Sequence, residues 1–348
     1  MQFSEIIIPK MYEEMKLLVQ KDLSSAETVA LTTDGWSSRA TESYMTITSV
    51  HNNVDWELVN YVLQTRALPE SHTGEHVAEV LNEAVTEWNL QAIDGAPPLV
   101  TDNASNMLKA GKLFETKLHV TCFAHTLNLA CQKFLKVKRV SHLLARIRQL
   151  VSYFHRSNMA SAVLKTKTHL LSVPEHKLII GVCTRWNSSY DMLQRFLEMQ
   201  VAVFATIRSK ELKVKDYKSF SDEDLTLAEE VTHLLKPLKD VTVGLCSEKI
   251  PTVSLTMPLK HQLMNRVLVL SDDDSPTIQE MKQSLIEDLK NRYLEQKPML
   301  YICSALDPRF KMLPFLSEEI RFDVFNQVAA KAATIPTNSP AKKLKIKK

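Results

Sequence analysis

The apolar positions of this chain change their period once. In the first 120 residues, runs rich in apolar residues and Thr at 29–33, 44–51 and 56–68 read as β-strands. In the second run, Met45, Ile47 and Ser49 alternate with Tyr44, Thr46, Thr48 and Val50. Pro69-Glu-Ser-His-Thr-Gly reads as a turn. Val77, Val80, Leu81, Ala84, Val85 and Trp88 then recur at i, i+3, i+4, i+7, i+8 and i+11, one face of a helix. A short buried strand follows at 99–101. Next come a helix at 104–114 with Asn103 as its cap, a strand at 119–121 and a helix from about 124 to 135.

Beyond about residue 137 the β pattern nearly vanishes. Leu143, Leu144, Ile147, Leu150, Val151 and Phe154 mark one helix. Further helices are expected around 193–204, 231–241, 275–296 and 317–333. The expected division is an N-terminal helical segment (1–25), an α/β core (26–137), a helical unit (138–333) and a disordered basic tail (334–348). The order β-β-β-α-β-α-β-α is that of ribonuclease H-like folds, although many α/β domains share pieces of it.

Composition narrows this picture modestly. The 348 residues are 45% hydrophobic and 24% charged, with only 6 glycines, which argues against a loop-rich all-β fold. The net charge of +3 is too small to argue nucleic-acid binding by itself, and it is uneven: the last nine residues hold five lysines and no acid. Five widely spaced cysteines without a CxxC pair point to reduced thiols in the cytosol or nucleus. No stretch approaches the ~20 apolar residues of a membrane span. The acid-bearing N-terminus does not read as a signal peptide.

Two segments carry the candidate chemistry. In Leu31-Thr-Thr-Asp34-Gly-Trp36 and Leu99-Val-Thr-Asp102-Asn-Ala, an apolar/Thr run stops on an aspartate. If those strands are neighbours, Asp34 and Asp102 converge, and their hard oxygens suit Mg²⁺ or Mn²⁺ in phosphoryl transfer. Alternatively, Asp34 begins an Asp-Gly turn and Asp102 starts a helix. Cys122-Phe-Ala-His125 offers two zinc ligands of the four a site needs, or simply a packed thiol and a helix-start His. Zinc is not expected, because His125 and Cys131 face different sides of one helix. Arg185-Trp186 could stack on a base and contact phosphate, or Trp186 could anchor the helical unit. Asp307-Pro-Arg309 reads as a braced turn. Lys342, Lys343 and Lys345 sit in a basic run that reads as a nuclear import signal, a nonspecific nucleic-acid tail or a solvated end.

Taken together, LTTDGWSS (31–38), VTDNASNM (100–107), CFAHTLNLA (122–130), TRWNSSYDML (184–193) and LDPRFK (306–311) resemble the hAT superfamily of DNA transposases. The likeness is greatest to the transposase-derived proteins that carry an N-terminal BED zinc finger. The resemblance implies a ribonuclease H-like core followed by an all-α insertion domain. It implies that Asp34 and Asp102 match the first two acids of an Asp-Asp-Glu metal triad, Cys122 and His125 a CxxH segment, and Arg185-Trp186 a base-contacting segment.

The departures set the functional expectation. No segment resembling the family's third acid follows LDPRFK, no paired Cys/His finger precedes the core, and the family-type dimerisation segment is missing. The expected protein is therefore a domesticated nuclear regulator without transposition activity, acting through protein partners or residual DNA contact. The alternative is a metal-dependent transposase completed by an unrecognised glutamate, such as Glu318 or Glu319, or by a partner chain. A core missing an element should also expose apolar surface on one face of residues 26–137.

Overall fold

The computed structural model describes residues 3–38, 40–68, 72–90, 95–182, 184–212, 220–247 and 249–334. Cys183 and the lysine run with Lys342, Lys343 and Lys345 lie outside them. By contacts the chain divides into two units: residues 1–251 with 270–285, and residues 252–269 with 286–348.

The first unit opens with a π-helical turn (Phe3–Ile7) and α1 (Ile8–Leu23). Strands β1 (Ala30–Ser37), β2 (Ser43–Asn52) and β3 (Leu58–Ala67) are antiparallel neighbours, with a bulge in β3 at Leu63, opposite the Ile47–Thr48 step of β2. Helix α2 (Gly74–Glu87) crosses to β4 (Leu99–Thr101), and α3 (Ser105–Leu113) to β5 (His119–Thr121); β4 and β5 run parallel to β1. The five-stranded order is β3-β2-β1-β4-β5. The chain is thus a mixed α/β protein.

Alternation decides which sheet face is buried. Leu31, Met45, Ile47, Leu63 and Leu99 are nearly inaccessible and join Leu81 and Ala84 of α2 and Met107 and Ala110 of α3 in one core. The opposite face carries Thr32, Asp34 and Trp36 beside Thr48, Thr46 and Tyr44. It is open over the antiparallel strands, where Trp36 is 46% and Val62 67% exposed. Those two exposed apolar side chains sit among Thr32, Asp34, Thr46 and Thr48 on this face. On α1, Ile8, Met11, Met15 and Leu18 are also exposed, while Leu23 is buried.

Several local expectations are corrected. The strand expected to stop at Asp34 continues to Ser37, because β2 keeps pairing with it through Trp36 and Ser37. Asp34 therefore does not begin a turn. The third strand starts at Leu58, not Trp56, which sits in the preceding turn with φ 64°. Asn103 does not cap α3, whose N-cap is Ala104. The Asn103 amide instead bonds the Thr126 hydroxyl at 2.9 Å.

Helix α4 (Phe123–Phe134) leads into α5 (Lys138–Arg156), α6 (Asn158–Leu170), α7 (Trp186–Ile207) and α8 (Asp222–Leu245). No strand occurs beyond Thr121 among the described residues, so the change near residue 137 is one of secondary-structure class. It does not separate compact units, since α4 packs on both α7 and α8. Ser221 and Asp224 close a capping box at the start of α8.

The second unit holds α9 (Thr256–Gln262), α11 (Lys297–Leu306) and α12 (Glu318–Ala333); α10 (Pro276–Lys290) crosses the boundary between the units. The turn after α11 is braced as expected. Asp307 receives bonds from Ser254 Oγ at 2.6 Å and Arg309 Nη2 at 2.6 Å. The Arg309 guanidinium holds the Asp307 carboxyl down at about 2.

Candidate functional site

Register builds the site. In the parallel ladder Thr32 faces Val100 and, one strand further, Val100 faces Val120. Two residues on, at the same pleat phase, come Asp34, Asp102 and Cys122, each at the end of its parallel ladder. Three side chains thus meet in a row across β1, β4 and β5, on the face opposite the main core. Adjacent strands are about 4.8 Å apart, so the carboxylates of Asp34 and Asp102 converge.

Electrostatics reports the convergence. The Asp34 carboxyl is raised, first by desolvation and then by the like charge of Asp102. Asp34 is exposed as a residue, but neighbouring groups take water from its carboxyl. The His125 ring, on the first turn of α4, opposes that rise and so lies on the same side. Asp102 is half-buried, and its Oδ1 accepts the Ala104 amide at 2.8 Å, so it holds the turn into α3 as well as facing Asp34.

Cys122 is the N-cap residue of α4, and its amide donates to the Thr101 carbonyl at 2.7 Å. Burial pushes its thiol up against the pull of the His125 and Ala124 amides. Cys131 is fully buried, with its thiol raised well above the usual range. Among the described residues no group of three or more His, Cys, Asp or Glu could hold a metal.

Beside Asp34, Trp36 stacks on Tyr44 with ring centroids 4.7 Å apart, and its Nε1 donates to Thr46 Oγ1 at 3.3 Å. Behind the acid row, His119 bonds Thr101 Oγ1 at 2.9 Å. Gly111 of α3 lies against that ring so closely that a Cβ there would come within 2.2 Å of it.

Trp186 is 1% exposed, inside the helical part, so its ring is not presented to a base. The anchoring alternative is the one observed. Arg185, its neighbour and the N-cap residue of α7, is exposed. Glu318 and Glu319 begin α12 in the second unit.

Residues 32–127 match the ZBED1 RNase-like domain, and residues 120–234 match the ZBED1 RNase-like helical domain. The chain is also 27% identical over 332 residues to human zinc finger BED domain-containing protein 4, covering 91% of this chain and 28% of that protein. This chain belongs to the BED-type family of hAT transposase-derived proteins. Two more relatives bracket this BED-type chain. A Talaromyces stipitatus protein provisionally named transcriptional regulator tpeD is 27% identical over 227 residues, covering 54% of this chain and 26% of tpeD. A Zea mays protein provisionally named an AC transposase is 23% identical over 320 residues, covering 86% of this chain and 38% of its own. The BED-type chain thus spans well under half of each relative.

Proposed function

We propose that this BED-type chain is a nuclear, DNA- or chromatin-associated transcriptional regulator that has kept the transposase core without its strand-transfer chemistry. One observation supports this most: Asp34 and Asp102 converge, yet among the described residues no further acid joins them to hold a metal. Two-metal phosphoryl transfer needs both ions fixed so that the attacking and leaving oxygens lie in line. The helical part reads as the insertion that follows such a core.

The second reading, a metal-dependent transposase, draws on the raised Asp34 carboxyl. The repulsion between Asp34 and Asp102 is what a divalent cation would relieve. Their oxygens fit one Mg²⁺ or Mn²⁺, which commonly binds through one or two carboxylates plus substrate phosphates. Such an ion would supply Lewis-acid stabilisation of phosphate charge. Asp34 and Asp102 would hold it, while His125 stands beside Asp34.

The regulatory reading is tested by tethering the chain upstream of a reporter through a heterologous DNA-binding domain. It predicts a severalfold change in transcription that an Asp34→Asn, Asp102→Asn double variant reproduces. No change, or a change lost in the double variant, contradicts it.

A further inference from the structure

Summed over the chain, the charge is +3, but it is strongly segregated. From Thr116 to Pro174 there are ten Lys and Arg and not one Asp or Glu. That stretch builds α4, α5 and α6, and α5 shows the segregation best. Its inner face, including Leu143, Ile147, Leu150 and Phe154, is buried. At 100° per residue, its outer face carries Lys138, Ala145, Gln149, Ser152 and Arg156, flanked by Arg148.

Carboxylates from the start of α8 meet one flank of α5. Arg139 pairs with Glu223 at 3.6 Å and Arg146 with Asp224 at 2.8 Å, both from the start of α8. Among the described residues no carboxylate pairs with Lys136, Lys138, Arg148 or Arg156. A groove of about 570 Å³ runs along this face between Arg148 and Arg156, and no acid lines it. The segment after α6 is tied to α5 and α4 beside this face. The Leu178 carbonyl accepts from His155 Nε2 at 2.8 Å, the Gly181 carbonyl accepts from Arg148 Nε at 3.0 Å, and Gln132 of α4 donates to the Thr184 carbonyl. Those bonds bring exposed Arg185 toward the Arg148 end of the strip.

The local sequence also works against the helix here. Lys138 and Arg139 occupy the first turn of α5, which holds no acid. The helix dipole disfavours cations at that end, by up to about 1 kcal/mol each. A position that breaks a local rule is a candidate for constraint by function.

We infer that the outer face of α5, from Lys136 and Lys138 to Arg148 and Arg156, binds the phosphate backbone of duplex DNA without reading its sequence. The strip from Lys138 to Arg156 is about 27 Å long, near the length of eight base pairs at about 3.4 Å each. Backbone contacts through Lys and Arg give affinity and position without base selection. The inference rests on the reading of the chain as DNA-associated and names the surface responsible.

The test is anisotropy with a fluorescein-labelled 24-base-pair duplex of arbitrary sequence and the full chain, in EDTA. The compared proteins are wild type, a Lys136→Gln, Lys138→Gln, Arg156→Gln variant, a Lys10→Gln, Lys112→Gln control, and a variant with the lysines of 342–348 changed to Gln. All three α5-face substitutions are at exposed positions, so the fold should persist. The inference predicts a loss of about tenfold or more for the α5 variant at ~0.1 M salt. The log K against log [salt] slope should become shallower by about 2 to 3. The control should stay within twofold, and a single strand of equal length should compete less well than the duplex. An α5 variant within twofold of wild type, all affinity lost in the tail variant, or a single strand outcompeting the duplex would overturn it. Because no metal is present, this outcome is independent of whether Asp34 and Asp102 support cleavage.

Discussion

Asp34 is held where a carboxylate is least comfortable: partly dried and facing Asp102. Its folded pKa is raised, so the folded state binds the extra proton and loses stability as pH rises through that value. Asp34→Asn should therefore melt higher than wild type at pH 7, with the advantage disappearing below the ordinary value of 3.8. A melting series across pH checks this, and a lower Tm for the variant at pH 7 would argue against crowding by Asp102. Asp307 has the opposite sign. Its carboxyl, at about 2, contributes stability above 3.8 that is lost as pH falls toward 2. Half of that brace is solvent-exposed Arg309, so Asp307→Ala should cost about 1–2 kcal/mol in urea unfolding at pH 7, shrinking toward zero near pH 2. At this scale the sequence was informative for the 307–309 brace, while for Asp34 and Asp102 it left a metal role and a turn role both open. It misled for Asn103, since the side chain that caps a turn and the one that reaches across to Thr126 look alike in sequence.

At the scale of elements, period-2 and period-3.6 patterns placed the strands and most helices, because burial on one side imposes those periods. The continuation of β1 through Asp34-Gly35-Trp36 was hidden, since β2 imposes it from ten or so residues away. The α5 charge strip was hidden for another reason: whole-chain net charge cancels it. Trp186 shows how burial separates two readings of one motif. Trp186→Ala should cost about 3–5 kcal/mol as a core truncation, whereas exposed Arg185→Ala should leave stability within about 0.5 kcal/mol and reduce duplex affinity severalfold. Equal effects of both on affinity, at unchanged stability, would restore a base contact for the tryptophan. On α5, Lys138→Glu should do two opposite things. It removes a cation from a helix start and should stabilise by about 0.3–1 kcal/mol, while weakening duplex binding. A variant that is both less stable and unchanged in affinity would contradict the assignment of that face.

For the whole molecule, a sheet with RNase-like topology and a helical part extending from it agree with the BED-type assignment. The motifs carried that assignment in the sequence; the side-by-side placement of the two acids came only from strand order, which pairs β1 with β4 across about 65 intervening residues. The central proposal is that two converging carboxylates remain without strand-transfer chemistry. Its most direct test is single-turnover cleavage of a labelled duplex by the full chain in Mn²⁺, alongside the Asp34→Asn, Asp102→Asn variant. The account predicts no cleavage by either protein above the metal-only background. Manganese-dependent cleavage by wild type that the double variant lacks would contradict it.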